Sequence, residues 1–202
     1  MAIRHIVFDI GRVLIQWDPE RPYRALIPDE EQRRWFLSEV CSPAWIGEQD
    51  RGRSFAEGER ILIDQYPDSE DWIRAFLPVW GDMVPGLIDG TPDIMRTLIA
   101  DGWDVTMLTN FHQDTFLTAL ERFPVLAEPR GVTVSGRVRM IKPEPEIYAH
   151  HAQTFGLDPA ATVFFDDSPR NIDAAHTAGW HAHLFTSADS MRRDLATHGI
   201  TV

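Results

Sequence analysis

Three short apolar runs share one pattern along the chain: Ile6-Val7-Phe8, Val105-Thr106-Met107-Leu108 and Val163-Phe164-Phe165. Continuous rather than alternating hydrophobicity predicts strands buried on both faces, as in a parallel sheet. Each run ends directly on polar residues: Asp9, then Thr109-Asn110, then Asp166-Asp167. Further strands are expected around Val132 to Ser135 and His181 to Phe185. Between them, Thr91 to Ala100 carries Ile94, Leu98 and Ile99 at helical spacing, with Pro92 suited to a first turn and Gly102 to an end. Gln113 to Phe123 places Phe116, Leu117 and Leu120 on one face, and Pro143 to Phe155 and Pro169 to Ala178 both open on proline. The alternation predicts an α/β fold, a Rossmann-like doubly wound parallel sheet. Ligands on such sheets bind beyond the strand carboxyl ends, where the three polar clusters would meet.

Residues from about Asp18 to Met83 break the alternation and read as helices over Glu30 to Val40, Ala44 to Asp50, Ser54 to Tyr66 and Ser69 to Trp80. Five of the seven tryptophans (Trp17, Trp35, Trp45, Trp72, Trp80) fall in or beside this stretch. They are expected to form the core of a helical bundle, with one or two turned toward a substrate pocket. Gln16 to Pro19 and Pro85-Gly86 suit the outgoing and returning hinges. The expected organisation is a catalytic core of residues 1–17 and 85–202, with residues 18–84 inserted as a helical cap subdomain. A chain of 202 residues accommodates one such unit.

A net charge of −12 repels nucleic-acid phosphates and anionic lipid, so neither is an expected partner. No apolar run reaches the roughly 18 residues that span a bilayer. Asp9 and Arg12 interrupt the partly apolar start and no small-residue cleavage site follows, so the cytoplasm is the expected location. The lone Cys41 has no internal disulfide partner and no zinc-type spacing around it. A small anionic substrate would therefore need a local positive site. The basic residues are 18 arginines and a single lysine, Lys142. A chain that uses arginine everywhere else keeps that lysine for its compact ammonium rather than for charge alone. Oligomeric state is not legible in the sequence.

The stretches IVFDIGRVL, MLTN, IKPEPEIY and VFFDDSPRN, in this order and at spacings set by strand and helix alternation, resemble the four motifs of the haloacid dehalogenase superfamily. Most of its members are phosphatases, and the helical insertion after the first motif resembles its small cap. The resemblance covers nearly the whole chain. It implies a hydrolase for a small phosphorylated metabolite, sugar phosphates included, with Mg²⁺ as cofactor. Asp9 would be the nucleophile, its side chain and the Gly11 carbonyl also binding the metal. Thr109 and the backbone at Asn110 would hold phosphoryl oxygens, and Lys142 would bridge nucleophile and phosphate. Asp167 would ligate the metal, while Asp166 would act through water or orient Lys142. Two adjacent carboxylates at a strand end repel each other unless a cation lies between them, which fits these roles. Asn171 either steadies this loop or simply starts a helix. Arg12 is expected to face the phosphate. The turn Gln49 to Ser54 resembles the cap loop that dips toward the site, so Arg51 and Arg53 either meet substrate or remain surface charges.

The pattern departs at Gly11, where most phosphatases of the superfamily carry a second Asp as general acid and base. That group is worth roughly 10² to 10⁴ in rate. His112 and Asp18 are the nearest candidates to replace it, each with an ordinary turn or surface role as the alternative. The departure admits a metal-independent 2-haloacid dehalogenase using the same Asp9, although that branch builds its fourth motif on Ser and Asn, unlike Asp166-Asp167. Phosphonoacetaldehyde hydrolase would need a cap lysine, which is absent. A catalytically silent binding member ranks last, because every other catalytic position is filled.

Overall fold

The computed structural model describes residues 2–202. Five strands, β1 (His5–Phe8), β2 (Asp104–Thr109), β3 (Val132–Val134), β4 (Thr162–Asp166) and β5 (His181–Leu184), pair in the order β3-β2-β1-β4-β5, all parallel. The strands expected from the apolar runs are present. Ser135 is not in β3 but opens a short helix, Ser135–Val138.

Successive residues of β1 face opposite ways and feed two cores. Val7 joins Leu108, Phe164, Tyr148 and Trp180 under the helices Pro145–Phe155 and Pro169–Thr177. Ile6 and Phe8 join Met107 and Phe165 on the other face. That second cluster runs without a break through Phe111 into Phe55, Phe76 and Trp80 of the inserted segment. Hydrophobic burial thus fastens the insertion onto the sheet. The outgoing and returning chains lie side by side, with Gln16 N–H donating to Gly86 O (2.9 Å) and Asp18 N–H to Met83 O (2.7 Å).

Several helices of the insertion differ from expectation. Glu20–Leu26 is an additional helix. The helix from Glu30 ends at Trp35 and continues as a wider π turn over Phe36–Val40. The stretch expected as one helix from Ser69 to Trp80 divides into Glu70–Ala75 and Trp80–Met83. Pro78 lies in the gap, where it has no N–H to donate and its ring crowds the preceding turn. Trp45 and Trp80 are buried as the bundle reading expects, but Trp35 is 41% exposed and rests edge-on against Tyr66.

Candidate functional site

Sheet register brings the polar clusters together. Phe8 pairs with Met107 on one side and Phe165 on the other, so the residues that follow each strand stand level. The Asp9 N–H donates to Phe165 O (2.9 Å), which sets Asp9 beside Asp166. Both carboxylates are removed from solvent, at 7% and 0% exposure.

Lys142, 3% exposed, supplies the compensating charge. Its ammonium makes three contacts: Asp166 Oδ2 at 2.6 Å, Asp9 Oδ1 at 2.9 Å and Leu108 O at 2.9 Å. Three donors are thus matched by three acceptors. The Asn110 side chain fixes the lysine's backbone, donating to Lys142 O (3.0 Å) and accepting from Lys142 N–H (2.8 Å). Asn110 had been expected to act through its backbone. Its side-chain amide in addition joins the end of β2 to the lysine loop. Asp166 also accepts from Asn171 Nδ2 at both oxygens (2.9 and 3.1 Å) and from Ser168 N–H (2.8 Å). Asn171 therefore steadies this loop as well as lying in the helix that follows. Asp9 Oδ1 accepts the Ile10 N–H (2.7 Å) in addition to Lys142.

Burial pushes the Asp9 carboxyl well above the usual carboxylate range, while Lys142 pulls it down and the neighbouring Asp166 pushes it further up. For Lys142, burial alone would favour the neutral amine, yet Asp166 and Asp9 outweigh it and hold the ammonium charged. Asp167, at the mouth, is raised by burial and by Asp166, and Arg12 and Lys142 oppose this. One oxygen from each of Asp9, Asp166 and Asp167 lies within 4.8 Å of the others. Three converging carboxylates form a donor set suited to a hard divalent cation. Gly11 sits in the turn where the N–H groups of Val13, Leu14 and Ile15 converge on Ile10 O. A Cβ at Gly11 would meet nothing within 4 Å.

A cavity of about 470 Å³ opens over this group. Asp9, Gly11, Arg12, Asn110, Lys142 and Asp167 form its core wall, and Trp17, Leu37, Asp50, Phe55, Phe76 and Trp80 stand across it. Arg12, at a positive φ of 58°, holds its guanidinium 3.7 Å from Asp167 Oδ2. Thr109 ends β2, buried, and does not line the cavity.

Neither Arg51 nor Arg53 is brought to the cavity. Arg51 forms a two-pronged pair with Glu144 (2.8 and 2.6 Å), and Arg53 Nε donates to Gln49 Oε1 (2.6 Å). The loop residue that does line the cavity is Asp50. Sequence spacing gave no sign of it, because Asp50 stands as an ordinary residue at the end of a helix. The two suggested proton-transfer groups also lie elsewhere. His112 caps the helix Gln113–Arg122, accepting the Asp114 N–H (3.2 Å), with its ring against Phe55. Asp18 accepts from Glu20 N–H and Arg21 N–H at the start of a helix.

The family model for haloacid dehalogenase-like hydrolases matches residues 3–179. The chain belongs to that family. Among curated relatives, flavin mononucleotide hydrolase 1 of Arabidopsis thaliana is 29% identical over 117 residues, 57% of this chain and 46% of that protein. The mitochondrial (DL)-glycerol-3-phosphatase 1 of the same plant is 26% identical over 192 residues, 88% of this chain and 62% of that one. The chain thus spans about half to three-fifths of the length of these relatives. Solved structures share the fold. A predicted HAD-like hydrolase from Porphyromonas gingivalis superposes with a TM-score of 0.75 at 20% identity, covering 98% of each chain. A haloacid dehalogenase family enzyme from Bacteroides thetaiotaomicron, solved with magnesium and inorganic phosphate, superposes at 0.69 and 22% identity, covering 92% of this chain and 96% of that one. Among the described residues no helix is long and apolar enough to cross a membrane.

Proposed function

We propose that this hydrolase cleaves the phosphate monoester of a small metabolite, through an aspartyl-phosphate on Asp9 and with Mg²⁺ at the carboxylate group. The observation that carries this reading is the buried Lys142 ammonium held between Asp9 and Asp166, with Asp167 beside them. A dianionic phosphoryl group approaching a carboxylate meets strong repulsion, and catalysis of its transfer is chiefly positioning and charge compensation. Lys142 lies in place to offset both anions. Asp9, Asp167 and the Gly11 carbonyl would hold the cation, which supplies the remaining positive charge. Asp166 keeps Lys142 aimed at Asp9. Arg12 and the Asn110 N–H, both on the cavity wall, are the groups assigned to phosphoryl oxygens, while Thr109, buried at the end of β2, lies off that wall.

Asp9 attacks phosphorus, the bond to the leaving oxygen breaks, and water then attacks phosphorus to release orthophosphate and free Asp9. Residues 18–84 act as the cap over the core of 1–17 and 85–202, excluding water from the reacting group. Its aromatic wall favours a substrate whose phosphate-bearing remainder offers an apolar face. The named activities of the two plant relatives, on flavin mononucleotide and glycerol 3-phosphate, accord with a phosphomonoester.

A metabolite panel run with and without Mg²⁺, beside Asp9→Asn, tests this. Turnover should require the metal and fall at least about 10³-fold in the variant, the scale of losing a nucleophile. Turnover intact in Asp9→Asn would remove the nucleophile assignment. Gly11 favours one competing reading, the metal-free dehalogenase. Halide release from a 2-halo acid in EDTA would establish it in place of the phosphatase.

A further inference from the structure

Gly11 leaves the core wall without a side chain that can move a proton to the leaving group, and the space beside it is open. The titratable groups lining the cavity are Asp9, Arg12, Cys41, Asp50, Lys142 and Asp167. Arg12 stays protonated. Burial pushes the Cys41 thiol far above the neutral range. In the phosphatase reading, on which this inference rests, Asp9, Lys142 and Asp167 are already occupied by attack, bridging and the cation. Asp50 remains, supplied by the opposite wall.

We infer that Asp50 is the catalytic acid and base of the reaction. Its carboxyl gives a proton to the leaving oxygen as the P–O bond breaks under attack by Asp9. The resulting carboxylate then takes a proton from the water whose oxygen attacks phosphorus, releasing orthophosphate and the Asp9 carboxylate and restoring the Asp50 acid.

The local structure fits this task. Asp50 is the last residue of the helix Pro43–Asp50, and its carbonyl accepts the buried Ser135 hydroxyl (2.6 Å), which itself accepts the Phe111 N–H (2.8 Å). The following residue, Arg51, is clamped by Glu144 on the lysine loop. Gly52, at φ +106°, runs so close to the core that a Cβ would stand 2.8 Å from Gly136 O. Three contacts to two core segments, the helix Ser135–Val138 and the lysine loop, therefore fix Asp50 although it belongs to the insertion. Among the described residues no Arg, Lys or His is paired with its carboxylate; the backbone N–H of His112 faces it. Burial raises this carboxyl to about 7, so both protonation states are available near neutral pH.

The test compares two esters in the presence of Mg²⁺. The leaving group of p-nitrophenyl phosphate needs little protonation, whereas the alkoxide of glycerol 3-phosphate needs it strongly. Asp50→Asn should lower kcat/KM for the alkyl ester by about 10² to 10⁴-fold and for the aryl ester by less than about tenfold. Retained aryl turnover also certifies a folded site. Asp50→Glu, which keeps a carboxyl, should recover part of the alkyl-ester loss. Equal losses on both esters in both variants, or no loss on either, would overturn the inference while leaving the Asp9 phosphatase intact. A wild-type protein without Asp9-dependent turnover of either ester would overturn both readings.

Discussion

The two walls of the cavity are built on different principles. On the core side, polar groups are placed by sheet register and locked by each other: Asp166 alone accepts from Lys142, Asn171 and Ser168. On the inserted side, rings pack against rings, with Phe55 and Phe76 6.1 Å apart and Trp45 and Phe76 5.1 Å apart, and Asp50 is the one carboxyl that this side turns to the cavity. The first arrangement is rigid in charge, because each buried ion depends on its partner. The second is specific in shape, and aromatic surface tolerates exchange more readily than a buried ion pair. Substitutions in the core wall and at Asp50 should therefore act on turnover, and substitutions of the rings across from the core wall on substrate choice and on fit.

The sharpest way to break this contrast is Lys142→Met. It leaves Asp9 and Asp166 facing each other without the ammonium, so turnover should fall by more than about 10³-fold. Stability in metal-free buffer should drop by about 3 kcal/mol, read by urea unfolding. Turnover within tenfold of wild type would show that the core wall does not depend on this charge.

His151 is a control lying away from both walls. Fully buried between Thr106 and Thr133, its ring accepts from one hydroxyl and donates to the other, and burial lowers its pKa to about 3. The unfolded chain takes up a proton on this residue near 6.5, whereas the folded protein does not until about 3. Between those values the unfolded state binds the extra proton, so stability falls as pH drops, by up to about 1.4 kcal/mol per pH unit. His151→Gln should flatten that slope while leaving turnover at pH 7 nearly unchanged. An unaltered slope would refute the assignment.

Gly52→Ala probes the attachment between the walls. The new Cβ meets backbone at a positive φ, at a cost of about 1 to 3 kcal/mol. kcat/KM for alkyl esters should fall with the displacement of Asp50, while aryl-ester kcat/KM stays within a few-fold. Glu144→Gln should do least. The Arg51–Glu144 pair has both side chains more than a third exposed, so its loss is worth at most about 1 kcal/mol and should fade at high salt.

The same contrast explains what the sequence revealed. Asp9 and Asp166 stood out because strand ends impose position on what lies there, and parallel pairing of the apolar runs fixes their meeting, whereas Lys142 stood out as the single lysine of the chain. Asp50 did not stand out, because its placement depends on a hydroxyl at Ser135 and a close passage at Gly136, both some 85 residues away in the chain. Arg51 and Arg53 drew attention because their turn resembles the cap loop that dips toward the site, yet nearby Gln49 and distant Glu144 engage them. The break at Pro78 was readable in principle. Apolar spacing across Ser69 to Trp80 suggested continuity where the missing N–H forbids it. Helix Glu20–Leu26 is short and buries only Tyr23, too little periodicity to register.

The central claim is that the buried carboxylate of Asp9 takes the phosphoryl group. Wild-type protein turning over its best phosphomonoester with Mg²⁺ should be quenched in acid within one turnover, digested, and its peptides weighed. The account predicts a phosphate on the peptide carrying Asp9, absent in Asp9→Asn. Phosphate on another residue, or full turnover with no phosphopeptide at any quench time, would contradict it.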